Sequence, residues 1–328
     1  MLNLVTGATG HIGNVLVREL LAKNERVRAF ILPGDLLTPL QDLDIEIVYG
    51  NILDRDALVD AMQGVDCVYH LAGMISILPG AAAKLFRVNV DGTRNVLDAI
   101  RQSGVGRLVY VSSIHALGMV QHGITIDESI PFDPDHAMGD YDKSKARASQ
   151  LVVQAAGDGL NAVIVCPTGV IGPYDYNFSE MGTLIGSMLH TPVAFSVRGS
   201  YDFVDVRDVA HGLVMAAEKG APGSIYILSG EYIAISEILR TASGALGRKT
   251  PIINVPFPLA KIAARVSPAY CRLTHRKAHL TPYSLSTIQS NAIVTHRKAT
   301  QELGYSPRCI RDSVRDLIYW LREKSPAT

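Results

Sequence analysis

The chain has 328 residues, which suits one large α/β domain with a smaller lobe better than a string of domains. Apolar residues make up 48% and charged residues 19%, which excludes a disordered chain and permits a sizeable core. Lys+Arg and Asp+Glu are both 31, so the balanced total gives no reason to expect nucleic acid or a membrane as a partner.

Cys67, Cys166, Cys271 and Cys309 are scattered, without C-x-x-C or metal-ligand spacing. This points to no metal, no disulfide framework and a reducing, cytoplasmic setting. No run of 18 apolar residues is present, so no membrane span is expected. Met1 leads directly into a strand, so no signal peptide is expected either.

Leu2–Val5 is an apolar run of strand type. It is followed by Thr6-Gly7-Ala8-Thr9-Gly10-His11-Ile12-Gly13 and then by helical periodicity through Leu21. Strand, glycine-rich turn and helix together make a phosphate cradle. Gly7 permits the tight turn, Gly10 lets backbone approach a pyrophosphate, and Gly13 lets the helix pack on the strand. The helix N-terminus then aims its free N–H groups at the anion. Gly7, Thr9, Gly10, His11 and Ile12 are therefore candidate cofactor contacts.

The spacing is G-x-x-G-x-x-G, and here the sequence resembles the nucleotide loop of the extended short-chain dehydrogenases/reductases, the NAD-dependent epimerase/dehydratase family. Val27–Ile31 is the second strand, whose end discriminates NAD from NADP. Ile31 and Leu32 are neither acid nor base; Asp35 either reaches the adenosine ribose or is an ordinary turn residue. Dihydroflavonol-reductase-like members often carry Arg where Leu32 stands, so the cofactor is NAD or NADP with a lean to NAD.

Ile45–Tyr49 is the third strand. Gly50–Asp54 resembles the family's G-D-L-x-D segment, which implies that Asn51 and Ile52 contact adenine. Asp54 reads as the N-cap of a helix to Met62. Val65–Leu71 is the fourth strand, and His70-Leu71-Ala72-Gly73 resembles H-x-A-G/A. The resemblance lays Leu71, Ala72 and Gly73 against the cofactor; His70 is read as a hydrogen-bonded strand-end residue, not a base. Met74–Leu78 sits at the mouth of the sheet, with Met74 a candidate substrate contact.

A helix is expected over 81–103, where Asn89-Val90-Asp91-Gly92-Thr93 is similar to N-V-x-G-T and reads as helix packing near the active site. Arg107–Val111 is the fifth strand and ends in Ser112-Ser113; Ser113 aligns with the family's catalytic Ser/Thr. His115 is a candidate for lining the substrate pocket, and Asp127-Glu128-Ser129-Ile130-Pro131 reads as structural.

Asp140-Tyr141-Asp142-Lys143-Ser144-Lys145 opens a helix over 141–156. Tyr141 and Lys145 are about one turn apart and share a face. A neighbouring ammonium favours the phenolate, which would make Tyr141 an acid/base near neutral pH. Y-x-x-x-K alone is common by chance; the upstream loop and Ser113 are what distinguish this one. After strand Asn161–Cys166, Pro167–Pro173 resembles P-x-x-V-x-G-P, implying that Pro167 and Val170 contact the nicotinamide end.

Past Pro173 the pattern changes. Tyr201–Ala210 resembles F-V-D-V-R-D-V-A, a return to the main domain, followed by a helix to Lys219 and strand Ser224–Leu228. The remainder reads as helices Ile235–Leu246, Leu259–Leu273, Pro282–Gln289 and Ile310–Glu323. Pro268 is expected to interrupt Leu259–Leu273, which is not read as a membrane anchor. Arg272, Arg276 and Lys277 form either a solvated face or an anion-recognition site.

The expected fold is α/β: a doubly wound parallel sheet (Rossmann) over 1–173 plus 203–228, with a mainly helical substrate lobe over 174–202 plus 229–328. The resemblance implies hydride transfer between nicotinamide and a carbonyl or secondary alcohol of a small-molecule substrate, closest to dihydroflavonol-reductase-like and hydroxysteroid-dehydrogenase-like members. In that scheme Ser113 polarises the carbonyl, Tyr141 moves the proton, and Lys145 lowers the Tyr141 pKa and holds the ribose. Ser113 is followed by Ile114-His115 and lacks the dehydratases' Asp-Glu pair; Asn177–Met181 does not match the epimerases' N-x-L-x-P. A nucleotide-sugar epimerase and a non-catalytic dinucleotide-binding regulator stay as alternatives. The family also implies a homodimer through the helices at 81–103 and 141–156.

Overall fold

The computed structural model describes residues 1–76, 80–273, 281–291 and 293–324, with backbone only for 268–273. The cluster Arg272, Arg276 and Lys277 and the end of the Met74–Leu78 segment lie outside the described residues. In chain order the first half comprises β1 (Leu2–Thr6), α1 (His11–Ala22), β2 (Arg26–Ile31), β3 (Glu46–Tyr49), α2 (Arg55–Ala61), β4 (Cys67–His70), α3 (Ala82–Phe86), α4 (Gly92–Ser103), β5 (Arg107–Val111), α5 (Asp140–Gly157) and β6 (Ala162–Pro167). The second half comprises β7 (Gly169–Ile171), α6 (Glu180–Ser187), β8 (Ala194–Val197), β9 (Ser200–Asp205), α7 (Val206–Lys219), β10 (Ile225–Leu228), β11 (Glu231–Ala234), α8 (Ile235–Ala245), β12 (Ile252–Val255), α9 (Phe257–Leu273), α10 (Pro282–Thr287), α11 (Arg297–Leu303) and α12 (Ile310–Lys324).

The central strands are mainly apolar and buried because helices cover both faces of the sheet. Every residue of β1 and β6 is buried. Among the described residues the central sheet runs β10-β6-β5-β4-β1-β2-β3, with every pairing parallel. The winding reverses between β1 and β4, and the crevice above such a switch point is where ligands bind in doubly wound sheets. One face packs on α2, α4 and α5 around Leu58, Leu97 and Val152. The other packs on α1 and α7 around Leu16, Leu20 and Leu213.

The helix expected over 81–103 is divided. Between α3 and α4, residues Arg87–Asp91 form a π turn, whose extra residue swings Asn89 inward. Outside the central sheet lie two small sheets that the sequence does not announce, β11-β9-β7 and β12-β8. Within 203–228, α7 and β10 belong to the central core and sheet, whereas β9 pairs outside it. The expected break at Pro268 is corrected: α9 runs on through it to Leu273. A proline removes one helical N–H donor, and the helix absorbs that single loss. Among the described residues no helix is long and apolar enough to cross a membrane.

Several side chains that look like chemistry are structural. Glu128 Oε1 accepts from Ile227 N at 3.0 Å, covering the edge strand β10. Arg207 pairs with Asp205 and with Asp316 on α12, both at 2.7 Å. Arg308 pairs with buried Asp208 at 2.9 Å, and the Tyr305 hydroxyl donates to Ser229 O at 3.1 Å. Cys67 and Cys166 are buried, and burial pushes both thiols up to about 12.

Asp202 on β9 accepts from Thr168 Oγ1 at 2.6 Å and from Gly230 N at 2.9 Å. Burial outweighs these bonds and pushes its carboxyl up to about 6. The folded chain thus holds this proton more tightly than the unfolded chain. Its contribution is complete below the ordinary value of 3.8 and is lost as pH rises through about 6. Asp202→Asn keeps an acceptor without the charge. Relative to the parent, its denaturant midpoint is expected to be level at pH 4 and higher at pH 7, by a stability on the order of 2 kcal/mol. Equal offsets at both pH values would contradict this.

Candidate active site

The glycine loop closes β1 onto α1. Gly7 has φ +71°, and a Cβ there would meet Ala72 N at 2.7 Å, so loop and β4 end touch backbone to backbone. A Cβ on Gly13 would stand 2.1 Å from Gly7 O. At Gly10 it would meet only Gly7 O, at 3.2 Å, so this side of the loop faces outward. α1 has no side-chain cap and no acid in its first turn, leaving its N–H groups directed at the same spot. These features fit a dinucleotide pyrophosphate. Thr9 Oγ1 donates to Asp35 Oδ2 at 2.9 Å, which draws Asp35 to the loop. Segment 173–177 folds over it: His11 Nε2 bonds Pro173 O at 3.0 Å, and Asn177 Nδ2 donates to Thr9 O at 3.1 Å. Asn51 Oδ1 accepts from Leu53 N at 3.0 Å in an exposed turn, and Ile52 packs its side chain against Gly92.

From the loop a hydrogen-bond chain crosses to α5. Ala72 N donates to Thr6 Oγ1 at 3.2 Å, and Thr6 Oγ1 bonds His70 Nδ1 at 2.8 Å. His70 Nε2 bonds Thr93 Oγ1 at 3.1 Å, and Thr93 donates to Asn89 O at 2.6 Å. Each hydroxyl has one proton, so Thr6 donates to Nδ1 and Nε2–H donates to Thr93. Burial, aided by the Lys145 charge, pushes His70 down to about 3, so it is neutral. Both ring nitrogens are committed, as expected for a structural histidine. The Asn89 carboxamide accepts from Met74 N at 2.7 Å and donates to Met74 O at 3.0 Å and to Ser144 Oγ at 2.9 Å. Ser144 in turn donates to Tyr141 O at 2.7 Å. Gly73 lies against Asn89, where a Cβ would meet Oδ1 at 3.2 Å. Asn89 thereby fixes the 71–74 segment to the Tyr141 turn, a role that the reading of 89–93 as helix packing missed.

Ser113 follows β5 directly, and β5 pairs with β6 so that Ser112 N donates to Val165 O at 2.8 Å. Pro167 ends β6 on the same carboxyl edge, and Val170 follows in β7. Ser113 Oγ accepts from His115 N at 3.2 Å, and its hydroxyl also acts on the Tyr141 phenol. Burial pushes the Tyr141 phenol up to about 12; the Ser113 hydroxyl pulls against this, and the Asp142 charge adds to it. The expectation that Lys145 lowers the Tyr141 pKa is corrected here. The Lys145 ammonium donates to Val111 O at 2.7 Å and lies 4.9 Å from the Tyr110 ring centroid. In the folded chain burial outweighs any lowering by this charge, and the phenol is raised. One helical turn gives the two side chains a common face, but the long lysine stem reaches past the phenol to the strand. Burial pushes Lys145 down to about 8.

Over this group stands an aromatic cluster. His115 Nε2 bonds the Tyr201 hydroxyl at 3.0 Å, with the rings stacked at 10° and 5.7 Å between centroids. Tyr283, from α10, lies 6.2 Å from the His115 ring and donates to Asp142 Oδ1 at 2.6 Å. Its ring rests on Gly139, where a Cβ would come within 2.9 Å. Asp142 Oδ2 accepts from Gly139 N at 3.2 Å. Burial raises Asp142 and lowers His115, each opposing the other's shift. Tyr201 and Tyr283 come from 60 and 142 residues beyond Tyr141; Tyr201 opens the segment 201–210, for which the sequence leaves a structural and a substrate-facing role equally open, Tyr283 carried no signal, and Asp142, beside Tyr141 at a helix start, could have been noticed as a capping acid.

Comparison with known proteins agrees with this geometry. The sequence model of the NAD dependent epimerase/dehydratase family matches residues 3–229. The chain is 36% identical to sterol demethylase protein B of Methylococcus capsulatus, over 99% of both chains. It is 33% identical to a putative dihydroflavonol 4-reductase of Synechocystis, over 97% of this chain and 94% of the other. The solved structure of gox2253 superimposes with a TM-score of 0.85 at 32% identity, covering 98% of each chain. The glycine cradle, the switch-point crevice and the match over more than half the length lead to one conclusion: the chain belongs to the NAD dependent epimerase/dehydratase family and is an NAD(P)-dependent oxidoreductase of the extended short-chain dehydrogenase/reductase type.

Proposed function

We propose that this enzyme interconverts a ketone or aldehyde and its alcohol by a Ser-Tyr-Lys mechanism. The observation that carries the reading is the placement of Ser113, directly after β5, and Tyr141, in the first turn of α5, together at the carboxyl edge of the sheet, where the Ser113 hydroxyl acts on the Tyr141 phenol. A carbonyl oxygen seated between them accepts from both. As hydride reaches the carbonyl carbon, the oxygen becomes an alkoxide, takes the Tyr141 proton and leaves as an alcohol. The bound nicotinamide supplies the hydride and, once oxidised, a positive charge that favours the phenolate. Lys145 contributes a second positive charge below pH 8 and a donor for the cofactor ribose.

The cluster above the pair favours an uncharged, largely apolar substrate. His115 is lowered and Tyr201 and Tyr283 are raised, in each case chiefly by burial, so their rings stay neutral. A relative named sterol demethylase protein B fits a ring-bearing ketone or secondary alcohol. Asp35 at the glycine loop favours NAD, because a carboxylate accepts from a ribose diol and repels a 2′-phosphate.

The test is NADH and NADPH oxidation with cyclic ketones, aldehydes and UDP-sugars. Ketone-dependent oxidation of NADH is expected, with a reductive rate that falls as pH rises past about 8 and Lys145 loses its charge. Conversion of a UDP-sugar without net NADH oxidation would identify an epimerase instead. Tight dinucleotide binding with no turnover on any carbonyl would favour a regulatory role.

A further inference from the structure

The balanced charge total conceals an uneven distribution. Between Ile238 and Gln301 the sequence contains ten Lys/Arg and no Asp or Glu. The C-terminal half of the lobe is thus strongly cationic, and the rest of the chain is acidic to the same extent. α9 lies within this stretch. Its inner face is small and buried: Ala260 and Ala264 pack with Leu285 of α10, Val197, Val255 and Phe257. Its outer face is apolar and exposed, with Leu259 57%, Ile262 61% and Val266 60% accessible. Their spacing of three and four puts these residues on one stripe, opposite the alanines. Lys261 and Arg265 are exposed beside the stripe, and Lys261 Nζ stands 5.0 Å from the Phe257 ring centroid.

An ordinary surface helix turns its large apolar residues inward and its small or charged ones outward. α9 does the reverse, presenting Leu, Ile and Val outward and burying Ala. Exposed apolar stripes rimmed by one sign of charge mark contact sites rather than solvated faces. The complementary surface must be apolar at its centre and anionic at its rim, over a segment too short and too polar to span a bilayer. We infer that α9 lies in the surface of an anionic lipid bilayer, its Leu259-Ile262-Val266 stripe among the acyl chains and Lys261 and Arg265 at the headgroups. The contact is peripheral and reversible, since one short helix buries little apolar area. It would bring the lobe that carries Tyr283, on the neighbouring α10, to the membrane surface.

The test is co-sedimentation of the full chain with vesicles of phosphatidylcholine plus phosphatidylglycerol, against phosphatidylcholine alone, at low and high salt. Binding to the anionic vesicles only, weakened by salt, is expected. Lys261→Glu/Arg265→Glu is expected to weaken it by about tenfold or more. Ile262→Ser/Val266→Ser is expected to abolish it, while both variants keep the parent's melting temperature and dinucleotide affinity. The inference fails if the parent does not bind anionic vesicles, or if either pair of substitutions leaves binding unchanged. It also fails if sedimentation equilibrium shows a dimer that Ile262→Ser/Val266→Ser dissociates, since the stripe is then covered by a second copy.

Discussion

Tyr141→Phe is expected to lower turnover by about 10³-fold while dinucleotide affinity stays within a small factor of the parent's. Phenylalanine keeps the ring and its packing in the first turn of α5, and the Ser144 bond goes to the Tyr141 backbone, not to the phenol. Only the hydroxyl is lost, and with it the proton for the forming alkoxide. Because burial holds the free phenol near 12, Tyr141 is protonated across the physiological range and serves as an acid in the reductive direction. Ser113→Ala removes the hydroxyl that pulls this value down, so the phenol should become a weaker acid and the reductive rate should fall. Single-turnover kinetics with calorimetric NADH binding separate chemistry from affinity. A Phe variant that turns over at the parental rate would remove Tyr141 from the mechanism.

Gly13→Ala is expected to have the largest effect outside the catalytic group. The new Cβ would fall 2.1 Å from Gly7 O and 2.9 Å from Ala8 Cα, and these are backbone atoms that cannot rotate aside. Either α1 moves off the loop or the loop opens, at a cost of about 3 kcal/mol and with dinucleotide binding lost. Gly10→Ala is the informative contrast. Its Cβ meets only Gly7 O, at 3.2 Å, so the chain should melt close to the parent while affinity drops, because the methyl group occupies the outward side of the cradle. Thermal melts paired with NADH titration read both effects. If Gly10→Ala bound as well as the parent, the anion would not sit on that side.

The central sheet was legible because each strand is a mostly apolar run placed between turn and helix motifs, and Arg107–Val111 was bounded to the residue. The small sheet β11-β9-β7 was not, because β7 has three residues and its partners lie far along the chain. Catalytic candidates were found through spacing that local geometry imposes, as with Tyr141 and Lys145. What the spacing could not convey was where the lysine stem ends, since the Val111 carbonyl lies on a strand 34 residues away. The π turn at Arg87–Asp91 has the same composition as a regular helix, so its inward Asn89 was read as packing. The roof of the site was least legible: His115 was placed at the pocket, but it meets Tyr201 and Tyr283 only because the turn after β5, strand β9 and α10 converge, and no periodicity records that.

The ion pairs at the foot of α7 bear on where this protein begins and ends as a folding unit. The family model's match ends at residue 229, yet Asp208, Arg207 and Ser229 find their partners in Arg308, Asp316 and Tyr305, 76 to 109 residues later. A fragment cut at the similarity boundary would keep a buried carboxylate with no cation, a penalty of about 3 kcal/mol, and would uncover the floor of β10. The dinucleotide half is therefore not autonomous. Its last fastening is threaded through the far end of the chain, so a ribosome that has finished the glycine loop, Ser113 and Lys145 has still to deliver the residues that hold them shut.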